Sequence, residues 1–494
     1  MNRDDAPIPA AGNDTTAAED DPRGHSSVCE SPDRLALVLV WSKDEPWRIA
    51  ETVLLADDPE TTVWLGRGPS APGGPQKGIL GQQRPGRFTP GAAIASPAIS
   101  RYQIAFRKVG ATQVAQNEGK CPLFVNSHAV TGCEVKAGDL LQLGKQLLFL
   151  CCPRPQTLGG YDDGYPDFGF GGPDPFGLVG ESWAVWQLRR RLASAATKPD
   201  HVIVSGSSGS GKELVSHAIH ALSSRGSRRM VSRNAATLPE SLIDAELFGN
   251  PRGYPNPGIP DRPGLIGEAH GSTLFLDELA ELPESAQAHL LRVLDAGEYQ
   301  RLGEAHVRVS DFRLIAATNR ELALLKPDLL ARLPLRIAVP DLHARREDIP
   351  LLVRHALRRM GERGDAAALA LFPGRDPRGE PRVPLPWITG LLHHGFRTNV
   401  REIEMMIFQA LEAPEVVAKW GGEPSEGPPP AAFKGPASAE AIKQCLDANN
   451  GSIERTWRAL GLSSRFSLLR LIKKYGLEVR RRPAQGQGPG GLTQ

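Results

Sequence analysis

Short apolar runs separated by glycine, proline and polar turns fill the chain from residue 34 to about residue 153. The runs are LALVLVW (35–41), TVWLGRG (62–68), ISRYQIAFR (99–107), PLFVNS (122–127) and DLLQLGKQLLFLCC (139–152). Their lengths and their β-branched and aromatic content are typical of strands. Many short strands in a row predict a β-sandwich.

The pattern changes after residue 175. From 176 to 340, apolar strand patterns alternate with helical ones, which predicts a parallel sheet with helices on its faces. Residues 341–412 have mainly helical periodicity, and residues 438–478 contain three short helical stretches. The sequence therefore predicts a multidomain protein: a β-sandwich, an α/β domain with a helical extension, and a small all-α domain.

Segments of low apolar content separate these units. The 52 glycines and 43 prolines cluster, and the clusters at 154–175 and 413–437 are typical of linkers. Residues 1–33 are polar and predicted to be disordered, and residues 479–494 form a tail that is basic and then rich in glycine and glutamine.

Overall charge and cysteine content exclude some classes of protein. The formal net charge is only +2, so a nucleic-acid contact would need a local basic patch. The six cysteines form no Cys-x-x-Cys pair or zinc-ligand spacing, and no apolar run approaches the length of a membrane span. With its acidic N-terminus, the chain is expected to be a soluble cytoplasmic protein with no membrane contact.

A glycine-rich loop follows an apolar strand at residues 202–213, VIVSGSSGSGKE, and a helical pattern comes next. Glycines in such a loop let backbone N–H groups converge on phosphate oxygens, and the helix N-terminus adds a positive dipole end. Lys212 would reach the β- and γ-phosphates of ATP. Glu213 occupies the position of the usual Ser or Thr ligand of Mg²⁺. The predicted ATP-binding residues of the loop are Gly206, Ser207, Ser208, Gly209, Ser210, Gly211, Lys212 and Glu213.

Two further strands end in polar residues. The run TLFL ends at Asp277 and Glu278, where Asp277 would hold Mg²⁺ and Glu278 would polarise the attacking water. The run FRLIAAT (312–318) ends at Thr318 and Asn319, which would position that water.

Residues 176–410 resemble the AAA+ ATPase domain of the bacterial sigma-54 enhancer-binding activators. The matching segments are FGLVGES (176–182), GSSGSGKE, NAATLPESLIDAELFG (234–249), GSTLFLDELAELP (271–283), HLLRVLDAGEYQRLG (289–303), RLIAATNREL (313–322) and NVREIE (399–404). The resemblance implies that Asn234 senses nucleotide as the partner of Glu278. It also implies that Thr318 and Asn319 form the first sensor and that Arg401 is the second.

The same resemblance implies a homo-oligomeric ring in which each ATP site is completed by arginines of the neighbour. The segment DLLARL (328–333) offers Arg332 for this role, and Lys326 stands where the family has its earlier arginine. Lysine keeps the charge and loses the planar two-pronged contact.

The family's sigma-contact loop carries the motif Gly-Ala-Phe-Thr-Gly-Ala, and this chain departs from it. The matching positions 253–258 are GYPNPG, and five prolines fall between 251 and 263. Each proline fixes φ and removes an N–H donor, so the loop is predicted to be stiffened. Tyr254 could partly replace the lost phenylalanine. The contact with sigma-54 RNA polymerase is therefore expected to be impaired or altered.

The N-terminal strands resemble a forkhead-associated (FHA) domain, a β-sandwich that binds phosphothreonine. By this resemblance Arg67 and Ser100 would contact the phosphate, with Arg101 close by. Gln103 replaces the family's histidine, Cys121 replaces an asparagine, and a Pro/Gly-rich stretch from 69 to 98 lengthens a loop. A sandwich that contacts protein without phosphate is the alternative.

The C-terminal segment 438–478 resembles the Fis-type helix-turn-helix of these activators. Its third helix would enter the major groove of DNA. The candidate base readers are Arg465, Ser467 and Arg470, and the candidate phosphate contacts are Lys473, Lys474 and Arg480–Arg482. A helical dimerisation module is the alternative.

Three functions fit these observations. The first is a DNA-bound activator that receives phosphoprotein input at the sandwich and uses ATP hydrolysis to remodel sigma-54 RNA polymerase. The second keeps ATP and DNA binding but is no longer coupled to sigma-54, because the loop at 253–258 is degenerate. The third is a phosphopeptide-binding adaptor whose ATPase only controls assembly.

Overall fold

The computed structural model describes residues 34–159, 164–420 and 465–477, together with positions 442, 443, 445, 446, 453 and 456. The first unit is a β-sandwich, as the strand pattern predicts. Its strands are β1 (Arg34–Ser42), β2 (Thr52–Leu54), β3 (Thr62–Leu65), β4 (Gly81–Arg84), β5 (Arg87–Pro90), β6 (Ile104–Val109), β7 (Thr112–Asn117), β8 (Leu123–Val125), β9 (His128–Val130), β10 (Gly132–Val135), β11 (Leu140–Leu143) and β12 (Leu147–Arg154).

The strands form two packed sheets. One has the order β5-β4-β2-β1-β12-β11-β8-β9 and the other β10-β7-β6-β3. Leu37, Leu39, Phe106 and Phe149 are buried between the sheets. Val38 and Val40 on the opposite face of β1 are buried too, against helices from later in the chain. The near-continuous apolar run at 35–41 therefore marks a strand that is covered on both faces.

Two strand predictions need correction. The run 99–107 is only half strand, because β6 begins at Ile104 and Ser100 and Arg101 lie in the preceding loop. The stretch 69–98, predicted as a lengthened loop, contains the antiparallel hairpin β4–β5, which extends the larger sheet. The strands were not predicted from the sequence because the stretch is rich in glycine and proline, and both residue types lower strand propensity.

The α/β unit is also confirmed. Its strands are β13 (Val202–Ser205), β14 (Val231–Asn234), β15 (Thr273–Asp277), β16 (Glu298–Gln300), β17 (Val307–Val309), β18 (Arg313–Thr318) and β19 (Leu335–Ala338). Five of them form a parallel sheet in the order β14-β15-β18-β13-β19, and β16 and β17 form a separate hairpin. Parallel strands place their carboxyl ends at one edge, which brings the residues after β13, β15 and β18 together.

Helices surround this sheet and continue beyond it. The helices of the α/β unit are α1 (Trp183–Ala196), α2 (Lys212–Leu222), α3 (Ile243–Phe248), α4 (Gly264–Glu268), α5 (Glu284–Ala296) and α6 (Pro327–Ala331). The predicted helical extension, called the lid here, contains α7 (Ile349–Glu362), α8 (Ala366–Ala370), α9 (Leu385–His393) and α10 (Val400–Glu412). Short 3₁₀ helices lie at Pro46–Arg48, Ala235–Thr237, Glu240–Leu242, Leu279–Glu281, Leu322–Leu324, Leu342–Asp348, Pro373–Arg375 and Pro414–Lys419.

The described part of the predicted linker 154–175 is packed rather than free. Asp174 forms a fully buried ion pair with Arg189 of α1, with Oδ2 and Nε 3.0 Å apart. Phe168 stacks on Trp186 of the same helix. The predicted linker therefore connects the two units through buried contacts in its described part.

In the C-terminal segment the structure describes one helix, α11 (Arg465–Tyr475). Its Leu468 and Ile472 are buried with Ile442 and Leu446 in a small apolar cluster. Residues 1–33, 421–437, 479–494 and most of the first two predicted helices lie outside the described residues. Within the part of the chain that is described, every helix is too short or too polar to cross a membrane.

Candidate functional site

The glycine-rich loop connects β13 to α2, and α2 begins at Lys212. Gly211 precedes the helix with φ 109°, and Gly209 has φ 72°, so both occupy backbone conformations that favour glycine. A Cβ atom at Gly209 would lie 2.1 Å from the carbonyl oxygen of Thr398 in the lid. The loop is thus held against the lid, at a cavity of about 500 Å³.

Lys212 and the two predicted carboxylates line this cavity. The Lys212 ammonium donates to the carbonyl oxygen of Gly206 at 3.0 Å and lies 3.9 Å from Glu278 Oε1. Glu278 has a left-handed backbone, with φ 53°, directly after the strand that ends at Asp277. A strained backbone in a non-glycine residue is typical of functional sites, where it orients the side chain toward the site.

The predicted first sensor divides into two different positions. Thr318 is fully buried, and its hydroxyl oxygen accepts a hydrogen bond from the N–H of Arg320 at 3.1 Å. Asn319 is exposed, and its backbone N–H donates to Glu278 Oε2 at 3.2 Å. The geometry therefore gives Thr318 a structural role at the end of β18 and leaves Asn319 beside the catalytic candidate.

Asn234 also lies at this edge of the sheet, but its side chain is bonded differently from the expectation. Its amide nitrogen lies 3.5 Å from Asp277 Oδ2, and its oxygen accepts from the N–H of Ala236 at 2.9 Å. The predicted partner was Glu278, and the hydrogen bond in this structure goes to its neighbour Asp277. Strands β14 and β15 pair with Asn234 opposite Asp277, which explains the contact.

Arg401, the predicted second sensor, lies at the lid side of the cavity. This residue lies in the first turn of α10, lines the cavity, and has Nη1 3.5 Å from Ser208 Oγ. The buried Asn399 supports it, since its amide donates to the carbonyl oxygen of Ser208 at 3.1 Å. The start of α10 thus contacts the glycine-rich loop through the side chains of Asn399 and Arg401.

Several residues at the cavity were not predicted from the sequence. Arg345 is buried and donates from Nη2 to the carbonyl oxygen of Ser210 at 3.0 Å. Ser207 Oγ donates to Asp341 Oδ2 at 3.1 Å. His355 and Arg359 of α7 line the lid side, where burial and then the Arg359 charge lower the pKa of His355. The polar segment DLHARRED (341–348), placed before an apolar helix, was the available signal.

Arg332 lies outside the cavity of its own chain. It is half exposed at the end of α6, where its guanidinium forms an ion pair with Asp295. Lys326 pairs with Glu284 at 3.5 Å on the same side of the domain. Both side chains are at the surface, as residues that serve a neighbouring subunit would have to be.

The proline-rich loop 250–263 is closed on itself and attached to the β16–β17 hairpin loop. The Asn250 amide donates to the carbonyl oxygens of Pro251 and Pro260 at 3.0 and 3.1 Å. Asp261 pairs with Arg301 at 2.9 Å. The Tyr254 ring packs so closely on Gly303 that a Cβ there would lie 2.3 Å from it. These contacts attach the loop to the domain at Arg301 and Gly303.

In the sandwich, the predicted phosphate-binding residues lie together. The Arg67 N–H donates to the carbonyl oxygen of Ser100 at 2.9 Å, and the Ser100 hydroxyl accepts from the N–H of Lys120 at 3.0 Å. A residue missed by the sequence analysis is Lys77, whose ammonium donates to the carbonyl oxygens of Arg67 and Gly68 at 2.7 and 2.9 Å. Burial, then the charges of Arg101 and Arg67, lower the pKa of Lys77.

The side chain of Gln103 holds the loop that carries Ser100. Gln103 is fully buried, and its side-chain oxygen accepts from the N–H groups of Ser100 and Cys121 at 3.0 and 3.3 Å. Its amide nitrogen donates to Asn117 Oδ1 and to the carbonyl oxygen of Cys121. The Gln103 side chain therefore fixes the backbone of Ser100, and Cys121 takes part through its own backbone.

In α11, the side chains of Arg470, Lys473 and Lys474 are exposed on the helix surface. Arg465 and Ser467 belong to the same helix, but their side chains lie outside the described positions, as do Arg480–Arg482. The exposed basic side chains lie on the side away from the buried Leu468 and Ile472.

Comparison with known proteins gives consistent matches. Residues 178–339 match the family model described as the Sigma-54 interaction domain. The transcriptional regulatory protein ZraR of Escherichia coli K12 is 39% identical over 243 residues, which are 48% of this chain and 52% of ZraR. ZraR of Klebsiella oxytoca is 35% identical over 322 residues, 60% of this chain and 69% of that protein.

Among solved structures, NtrX from Brucella abortus in complex with ADP is 29% identical, with a TM-score of 0.42 over 62% of this chain and 70% of that one. The chain spans about half the length of the first curated relatives that it matches. The chain belongs to the sigma-54-interacting transcriptional activator family, and residues 178–339 are its Sigma-54 interaction domain.

Proposed function

We propose that this chain binds and hydrolyses ATP in its AAA+ domain and uses the energy to regulate transcription from DNA-bound assemblies. The observation that carries the proposal is that Lys212, Asp277, Glu278 and Arg401 line one cavity, although they come from separate parts of the chain.

The residues present fit a magnesium nucleotide. Carboxylate oxygens are preferred ligands of Mg²⁺, and Asp277 and Glu278 supply them beside Lys212. Asp277 would hold the ion, which supplies charge neutralisation at the transferring phosphate. Lys212 binds the β- and γ-phosphates, and the glycine-rich loop orients them with its N–H groups. Glu213 follows Lys212 at the exposed start of α2 and has a carboxylate where the usual hydroxyl ligand is expected.

Chemistry at this site falls to Glu278. The Glu278 carboxylate polarises the attacking water. The backbone N–H of Asn319 holds this carboxylate in position through a hydrogen bond. Arg401 senses the nucleotide from the lid. In a homo-oligomeric ring, Arg332 reaches the site of the neighbour and stabilises charge in the transition state.

The sandwich and the C-terminal helix each contact a partner of the chain. The sandwich receives a phosphothreonine protein at Arg67, Ser100 and Arg101, and α11 with its exposed basic residues contacts DNA. Sigma-54 RNA polymerase is the target of the motor. Measurement of ATP hydrolysis by the purified chain tests the catalytic part. Open-complex formation at a sigma-54 promoter with this protein, ATP and upstream DNA tests the rest, and hydrolysis without open complexes contradicts it.

The attached loop at 250–263 favours a second candidate, a regulator uncoupled from sigma-54. Tyr254 packed on Gly303 and Asp261 paired with Arg301 hold the loop down on the domain. Replacing residues 253–258 by Gly-Ala-Phe-Thr-Gly-Ala distinguishes an activator coupled to sigma-54 from a regulator uncoupled from it. If the replacement creates open-complex formation that the natural chain lacks, the loop alone has uncoupled the motor.

A further inference from the structure

The segment from Lys77 to the turn of the β4–β5 hairpin lies in the long stretch between β3 and β6, and its two ends contact different units. At one end, Lys77 lies beside Arg67 and Arg101. At the other, Arg84 reaches the start of the AAA+ domain, where it forms a buried ion pair with Glu181, with Nη2 and Oε1 2.6 Å apart. Lys77 and Arg84 are only seven positions apart in the chain.

The Lys77 end is built to hold an anion. Among the described residues, no carboxylate lies within ion-pair distance of Arg67, Lys77 or Arg101. The Nε atom of Arg67 is buried and has no hydrogen-bond partner. Three clustered cations without a counter-charge, one of them with a buried unused donor, are stabilised by an anionic ligand.

The Arg84 end is fixed by many contacts. Arg84 Nε donates to Glu181 Oε2 at 3.2 Å, and Nη1 donates to the carbonyl oxygen of Phe168 at 2.6 Å. Its guanidinium also lies 5.3 Å from the centre of the Trp186 ring. Both partners of the pair are buried, at 8% and 1% side-chain exposure. Such a two-pronged pair is rigid, so movement of Arg84 moves Glu181.

From Glu181 the contacts continue to the phosphate loop. The N–H of Glu181 donates to Asp348 Oδ1 at 2.7 Å. Asp348 lies three residues after Arg345, and their charges interact. Arg345 then donates to the carbonyl oxygen of Ser210, within the glycine-rich loop.

The connecting segment itself is tightly packed. The Gly78 N–H donates to the carbonyl oxygen of Trp64 at 2.9 Å, and a Cβ at Gly78 would lie 2.4 Å from Val53 Cγ2. A Cβ at Gly81 would lie 2.5 Å from the Phe88 ring. Because the segment is closely packed, a displacement of Lys77 is expected to displace Arg84 as well.

We infer that residues 77–84 connect an anion site on the sandwich to the phosphate loop of the AAA+ domain. A phosphorylated peptide bound by Arg67, Arg101 and Lys77 then changes the rate of ATP hydrolysis. The inference rests on the proposed phosphopeptide and ATPase functions. It adds Lys77 to the anion site and assigns the transmission of the signal to the Arg84–Glu181 pair.

The test measures peptide binding and ATP hydrolysis separately on the full chain. The probe is a pool of phosphothreonine peptides with randomised flanks, and the unphosphorylated pool is its control. In the natural protein the phosphorylated pool is expected to change kcat about fivefold or more, the scale of ordinary coupling between sites. Arg84→Gln should bind the peptides as before and lose the change in kcat. Arg87 is an exposed arginine of the same hairpin, and Arg87→Gln should keep both the peptide binding and the change in kcat. Lys77→Gln should weaken peptide binding.

Each outcome decides the question. Peptide binding with no change in kcat, or a change that persists in Arg84→Gln, overturns the inference and leaves phosphopeptide binding intact. If no peptide binds, the proposed phosphopeptide function fails. The rates of ATP hydrolysis without peptide then test whether the Arg84–Glu181 pair affects the AAA+ domain. Equal rates in Arg84→Gln and Arg87→Gln would overturn that part of the inference as well. If Arg84→Gln does not fold, Arg84→Lys replaces it, because it keeps the buried charge and loses the two-pronged contact.

Discussion

Glu278 Oε2 accepts a hydrogen bond from the backbone N–H of Asn319 at 3.2 Å, which ties the residue after β15 to the residue after β18. The two strands are neighbours in the parallel sheet, so the contact is fixed by the fold. A carboxylate held in this way, 3.9 Å from Lys212, is a suitable base for water that attacks a bound phosphate.

Glu278→Gln is expected to lower kcat for ATP hydrolysis by roughly 10²–10⁴-fold, because the amide cannot polarise water. Nucleotide affinity should stay nearly unchanged, since Lys212 and the loop remain. Steady-state hydrolysis and titration with a fluorescent ATP analogue measure the two effects. Glu284→Gln, an exposed carboxylate of α5, is the matched control. Turnover that survives in Glu278→Gln would show that another group is the base.

Arg332 gives a prediction about the ring. Arg332→Ala should reduce hydrolysis on the order of 10³-fold and leave ATP binding intact, because an arginine supplied by a neighbour acts on the transition state. Mixing Arg332→Ala with Glu278→Gln should restore part of the activity. In such a mixture, a subunit with an intact Glu278 can receive Arg332 from its neighbour.

The mixing experiment distinguishes this role from a structural one. Arg332 also pairs with Asp295, so loss of that ion pair could affect the fold of its own subunit. A purely structural defect would not be repaired by mixing. Arg336→Ala, on the exposed edge strand β19, should hydrolyse ATP at the natural rate.

The exposed residues of α11 give a prediction for DNA binding. Lys473→Ala and Lys474→Ala should each make the salt dependence of duplex binding less steep by about 0.9 in log K against log salt, because each removes one predicted phosphate contact. Fluorescence anisotropy at several salt concentrations measures the slope. Arg363→Ala, exposed at the end of α7, should leave the slope as it was. A variant with weaker binding and an unchanged slope would point to loss of fold.

The features that the sequence predicted well are local ones. The phosphate loop, Asp277 with Glu278, and the strand ends could be found because each is encoded in a few consecutive residues with a fixed relation to a strand. The sandwich and the α/β unit could be predicted for the same reason, since their strands and helices have clear periodicities.

The features that were missed depend on contacts between distant segments. Arg84 and Glu181 are 97 residues apart in the chain, and nothing local marks either as part of a buried pair. Lys77 was hidden in a stretch dominated by glycine and proline. Arg345 reaches Ser210 across 135 residues, and only the packing of the lid brings them together. Burial of such side chains is decided by tertiary structure.

Asp348 gives the last prediction, on the pH dependence of stability. It is fully buried and accepts hydrogen bonds from the N–H groups of Glu181 and Ser182 and from the Ser182 hydroxyl. Burial, then the charge of Glu347, raise the pKa of Asp348 to about 6 from its ordinary value of 3.8. A folded-state pKa above the unfolded one means that the folded state binds the proton more tightly. The contribution to stability is therefore complete below pH 3.8 and is lost as the pH rises through 6.

Asp348→Asn should remove this pH dependence. The amide oxygen can still accept from the two N–H groups, and the amide nitrogen can donate to the Ser182 hydroxyl after that hydroxyl rotates. Between pH 7 and pH 5 the natural chain should gain about 1 kcal/mol of unfolding free energy relative to the variant. Urea unfolding of both proteins at the two pH values measures the difference. Asp328→Asn, exposed in the first turn of α6, should follow the natural chain at both pH values. A natural chain that loses stability relative to Asp348→Asn on acidification would mean that the carboxylate is stabilised in its charged form, with the nearby Arg345 outweighing the cost of burial.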